Sequence, residues 1–95
     1  MGQTEVAEQL SELTYETRNL HRAISALIEE LEAVDLNQQR VDACKDEELK
    51  SILAHNRDEE KEHAAMLIEW IRRHDPAFNK ELKDWVLTEK PLGHH

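Results

Sequence analysis

Leu10, Leu13, Thr17, Leu20, Ile24, Leu27, Leu31 and Val34 follow one another in steps of three and four. That spacing is the 3.5-residue repeat of a helix that presses one seam against a partner. It predicts a first helix beginning near Thr4, where Glu5 and Glu8 suit the positive end of the macrodipole. The helix is expected to fray between Gln39 and Ala43. A polar connection with Cys44 and Lys45 then reaches Asp46, an N-cap candidate followed by Glu47 and Glu48. A second seam runs through Leu49, Ile52 and Leu53, then Asn56, Glu60 and His63, then Leu67, Trp70 and Ile71. Arg72, Arg73 and His74 place positive charge at its negative end. Asp75-Pro76 predicts a stop and the N-cap and first position of a third helix. Phe78, Leu82 and Trp85 give that helix a stripe from about Ala77 to Val86.

Glycine and proline occur only at Gly2, Gly93, Pro76 and Pro91. A sheet protein needs turn chemistry every eight to twelve residues or so, and none interrupts the stretch from Gln3 to Asp75. The expected fold is all-α: two long antiparallel helices and a short C-terminal helix, one domain over residues 1–92. Gly93-His94-His95 reads as the start of a purification tag, so His94 and His95 are set aside from the chemistry.

Composition changes the picture by what it withholds. The 95 residues are 39% hydrophobic, with two Trp, one Tyr and one Phe. That is little material for a self-sufficient core, so the chain is expected to bury apolar surface against other chains. One cysteine, Cys44, excludes a disulfide scaffold and fits a reducing cytoplasm. A net charge of −9 is wrong for an electrostatic nucleic-acid binder. No apolar run approaches the roughly 18 residues that cross a bilayer.

Most charged residues read as solvated helix faces, but Asn56, Glu60 and His63 interrupt the second apolar stripe. A seam carboxylate must be protonated, paired or bound to a cation. Positions i and i+3 share a helix face, so Glu60-Lys61-Glu62-His63 aims a carboxylate and an imidazole at one point. Glu-x-x-His is the inward motif of carboxylate-bridged di-iron and di-manganese bundles, which also need one Glu from each of two further helices. Glu30, three residues after Leu27 and four before Val34, flanks the first stripe. Glu29 points away from it and Glu32 sits on its far flank. One chain therefore holds one Glu and one Glu-x-x-His, half of a six-ligand set. Two other readings stand beside this one. One is a non-catalytic helical adaptor in which Asn56, Glu60 and His63 set register; the other is a bundle that binds manganese or zinc.

A wider set of residues carries a resemblance. His21-Arg22-Ala23-Ile24, Ile28-Glu29-Glu30-Leu31-Glu32-Ala33-Val34-Asp35 and Gln39-Arg40-Val41-Asp42-Ala43 resemble the first helix of encapsulated ferritins. Ala54 to Ala64, Glu69-Trp70-Ile71-Arg72-Arg73 and Thr88-Glu89-Lys90-Pro91 continue the similarity, which spans roughly Glu12 to Leu92. The resemblance implies a ferritin-like protein whose chains pair into a four-helix bundle with a di-iron ferroxidase centre. It further implies that pairs assemble into a ring-shaped decamer inside an encapsulin nanocompartment in the cytoplasm. Iron is the implied metal, two ions per dimer interface, oxidised from Fe(II) to Fe(III) by dioxygen. Glu30, Glu60 and His63 match the ferroxidase ligands, and Glu29 and Glu32 match acidic residues of a site through which metal enters. Relatives carry Trp-Tyr after the Val-Asp pair, where this chain has Leu36-Asn37, and the family's C-terminal shell-targeting tail has no counterpart in these residues.

Overall fold

A computed structural model of the chain describes residues 6–93. One 3-10 turn (Leu10–Glu12) precedes α1 (Tyr15–Ala43), α2 (Glu47–His74) and α3 (Pro76–Trp85). No strand occurs among the described residues, so the all-α fold is as expected. The onset of the first helix is not. α1 begins at Tyr15 because Thr14 Oγ1 accepts the Thr17 backbone N–H at 3.1 Å, a side-chain N-cap that halts the helix there. The segment before it turns back so that the Leu10 carbonyl accepts from Arg18 Nη2. Leu10 and Leu13 therefore lie outside the helix, Thr17 is exposed in its first turn, and Glu8 does not face a helix end. Thr4 and Glu5, like His94 and His95, lie outside the described residues.

The other boundaries follow local chemistry as expected. α1 ends at Ala43, and a three-residue connection, Cys44 to Asp46, leads into α2. Asp46 Oδ1 accepts from the Leu49 N–H at 2.9 Å. Asp75 serves two helices at once: its N–H closes α2 on the Ile71 carbonyl at 2.9 Å. Its carboxylate accepts the Phe78 N–H at 3.0 Å to open α3, with Pro76 at the first position.

α1 and α2 pack as an antiparallel hairpin along one stripe of each. Ala23, Leu27, Glu30, Val34, Asn37 and Val41 step by four and three, and all are buried or half-buried. Leu53, Arg57, Glu60, Ala64, Leu67 and Ile71 do the same on α2. The buried apolar residues among those described are Ala23, Val41, Ala64 and Ile71, so two alanines let the helices approach closely. A second stripe on α2 has the same rhythm: Leu49, Ile52, Asn56, Glu59, His63 and Met66, every one exposed. It lies about 100° round the helix, since it is the covered stripe displaced by one residue and one residue advances about 100°. The single seam expected on α2 is thus two adjacent stripes, only one of which the hairpin covers. Asn56 and His63 belong to the uncovered one. No helix among the described residues is long and apolar enough to cross a membrane.

Candidate metal centre

Midway along the hairpin the Glu-x-x-His pair straddles the boundary between these stripes. Glu60 faces α1, and three residues later His63 sits at the open edge. Glu30, from the covered stripe of α1, reaches out to it: Glu30 Oε2 lies 3.2 Å from His63 Nδ1. The two side chains are 27% and 48% exposed, so the pair remains open to solvent and to whatever approaches this edge. Glu60 is held differently. The Asn37 side-chain amide donates to Glu60 Oε1 at 2.8 Å, and Arg40 Nη1 donates to Asn37 Oδ1 at 3.0 Å. Asn37, only 6% exposed, is the buried polar residue among those described.

A further turn toward the connection, Arg57 Nη1 donates to Gln38 Oε1 at 3.0 Å. The adjacent Asp58 carboxylate, hydrogen-bonded to Arg57 at 2.9 Å, raises that guanidinium's pKa and is itself held below the ordinary carboxylate range. Hence Glu60 is tied to a buried amide, while Glu30 touches only imidazole among the contacts described for it. Glu29 is exposed and Glu32 half-buried on the same turn of α1.

Within one chain the expected ligands are not gathered into a single cluster. Among the described residues no group of three His, Cys, Asp or Glu side chains converges closely enough to hold a metal ion. The structure brings Glu30 to His63 and ties Glu60 to Asn37. Two open clefts, of about 450 and 480 Å³, flank Trp70 and His74, and neither is lined by Glu30, Glu60 or His63. The donors present, two carboxylates and an imidazole, are of the kind that iron, manganese and zinc accept. Within the chain they form a carboxylate–imidazole pair at an uncovered edge, with the second carboxylate tied to Asn37.

Asn37 was not among the sequence candidates. The signal was present in its spacing, three after Val34 and four before Val41, which places an amide on the covered stripe.

A profile of the EncFtn-like family matches residues 5–89. The chain belongs to the EncFtn-like family. It is 58% identical over 85 residues to the encapsulated ferritin-like protein of Rhodospirillum rubrum, covering 90% of this chain and 61% of that protein. The chain thus spans about three-fifths of that relative's length. Identity to the ferritin-like protein of Thermotoga maritima is 51% over 85 residues, 90% of this chain and 75% of the other. The encapsulin nanocompartment cargo protein EncC of Myxococcus xanthus is 44% identical over 68 residues, 70% of this chain and 52% of that one. The fold superposes on the crystal structure of protein ne0167 from Nitrosomonas europaea with a TM-score of 0.91 and 69% identity. That match covers 96% of this chain and all of the other. The EncFtn-like assignment agrees with the resemblance drawn from the residues between Glu12 and Leu92.

Proposed function

We propose that the chain is a ferroxidase subunit whose metal centre is completed by a second copy of itself. Iron is the substrate: each Fe(II) gives up one electron, and dioxygen takes the electrons. Glu60 and His63 of one chain would hold one iron, and Glu30 with its symmetry mate would bridge two. Two Glu30 and two Glu60 carry four negative charges, which neutralise two Fe(II) ions without a buried excess. Glu29 and Glu32, within an overall charge of −9, would draw cations to the edge of this centre.

The observation that carries the reading is the Glu30–His63 contact at 3.2 Å on the margin of an exposed stripe. A carboxylate and an imidazole meet there without a third ligand among the described residues, beside apolar residues that stay about half exposed. Leu49, Ile52 and Met66 of that stripe, with Leu31 of α1, are exposed. A second copy seated against them would cover apolar surface and add the missing ligands together. The association extends, on this proposal, to a decameric ring in the cytoplasm held inside an encapsulin shell, and the name of the Myxococcus xanthus cargo protein supports the shell alone.

The test is aerobic Fe(II) oxidation by wild type, Glu30→Ala, Glu60→Ala and His63→Ala, with iron counted per chain. Loss of a group that merely supports a ligand costs about 10–100-fold, so loss of a ligand should slow oxidation by at least about tenfold. Two irons per two chains are expected. Wild-type rates in all three variants, or two irons per single chain, would exclude the shared centre. Tight zinc or manganese binding without oxygen consumption would favour a non-oxidising bundle instead.

A further inference from the structure

We infer that Asn37 is a positioning residue for the metal centre: it fixes which oxygen of Glu60 is offered to metal, and Arg40 fixes Asn37. This rests on the proposed centre and assigns a role to residues outside its ligand set.

An amide can present either end to a neighbour, and here the neighbours decide. Arg40 only donates, so the Asn37 oxygen must face it, at 3.0 Å from Nη1. The Asn37 nitrogen is then turned to Glu60 Oε1, at 2.8 Å, and can only donate. The chain of contacts runs in one direction, guanidinium to amide to carboxylate. Because Asn37 is 6% exposed, water does not readily replace it as the donor. Glu60 Oε1 is thereby engaged on one side, and Oε2 is left as the better ligand. The carboxylate is biased toward one-oxygen ligation, and its swing about the side-chain bonds is restrained. An aliphatic residue at position 37 would leave Glu60 free to rotate and to bind through both oxygens. Hydrogen bonds that orient first-layer ligands in this manner commonly govern metal affinity over 10–100-fold.

The test is Co(II) titration of the full chain, followed by visible absorption, for wild type, Asn37→Leu, Glu60→Gln and the double variant. Asn37→Leu should weaken Co(II) binding by about tenfold or more and change the shape of the visible band. In the Glu60→Gln background the same change should cost less than about twofold, because its effect passes through Glu60. Arg40→Met, on an exposed side chain, should weaken binding in the same direction by a smaller factor. It carries the same cycle with Glu60→Gln if Asn37→Leu does not fold. Equal losses from the substitution at position 37 in both backgrounds would mean a general packing role and overturn the inference, as would no loss in either. If Glu60→Gln itself binds Co(II) like wild type, the centre falls and the inference with it. If Glu60→Gln weakens binding and neither Asn37→Leu nor Arg40→Met does, only the inference falls.

Discussion

Two stretches of α2 treat their charges in opposite ways. At its C-terminal end, both oxygens of Glu69 are satisfied: Arg72 reaches them through Nε and Nη2 at 2.7 Å each, and Arg73 Nε adds a third contact at 2.7 Å. Hydrogen bonds from Arg72 and Arg73 hold the Glu69 pKa down at about 2. Arg72 also donates to Asn79 Oδ1 of α3 at 2.9 Å, beside Ile71, which is 1% exposed. In the middle of the helix, Glu60 receives one amide, and His63 meets a single oxygen of Glu30 from α1. The first arrangement consumes its acceptors within the chain. The second leaves acceptors unspent next to an uncovered face. Charge that is closed on itself maintains a corner; charge left open can take a ligand.

Removing the centre of the closed region should have the largest effect on stability. Ile71→Ala leaves a cavity at the most covered side chain and should cost about 2–5 kcal/mol in urea unfolding at fixed chain concentration. His63→Ala, measured alongside in chelator, should change stability by less than about 0.5 kcal/mol, because its side chain is solvent-exposed. Similar losses for the two would erase the contrast. Asp75→Ala comes next, at about 1 kcal/mol, since it removes the carboxylate cap of α3 while leaving the backbone closure of α2. Reduced helicity confined to about one short helix, read by circular dichroism, would sharpen the assignment.

The smallest effect is electrostatic and depends on pH. The folded pKa of Glu69, about 2, lies below its ordinary value of 4.5. Its ionised form therefore adds stability that is fully present above about pH 4.5 and is lost as pH falls toward 2. The difference in melting temperature between wild type and Glu69→Gln should shrink through that window. It should be small throughout because the pair is partly solvated. A difference that is the same at pH 7 and pH 2 would show that packing, not charge, is at work.

The helix boundaries that could be read in the sequence are those fixed by adjacent residues. Asp46 before two glutamates and Asp75 before proline determine their own caps within a few bonds. The onset of α1 failed for a physical reason. Leu10 and Leu13 keep the apolar rhythm, but Thr14 and Arg18 hold the chain in another path, and periodicity carries no sign of that. The places of the candidate ligands on the two long helices were legible too, since a Glu and a His three apart project toward the same side of the helix. Which partner each would touch was not. Rhythm alone does not separate two stripes that keep the same spacing about 100° apart, so it merges Asn56 and His63 with residues that α1 covers. Asn37 is hidden for the opposite reason: an amide late in a helix gives no sign of burial by its type, although its spacing from Val34 and Val41 puts it on the covered stripe.

The three-residue connection also sets an order of events. Arg57 and Gln38 are 19 residues apart, Asn37 and Glu60 are 23, and Glu30 and His63 are 33. Loop-closure entropy makes the outermost of these contacts about 0.5 kcal/mol costlier to form than the innermost, before any pairing is gained. The hairpin should accordingly zip outward from Cys44–Asp46, an order that pulsed hydrogen exchange along α1 would reveal. Glu60 would be clamped by Asn37 before Glu30 arrives at His63. On that sequence of closure, the restraint precedes the pair, and the nascent hairpin spends the least time with both carboxylates loose enough to seize a stray cation in the wrong geometry.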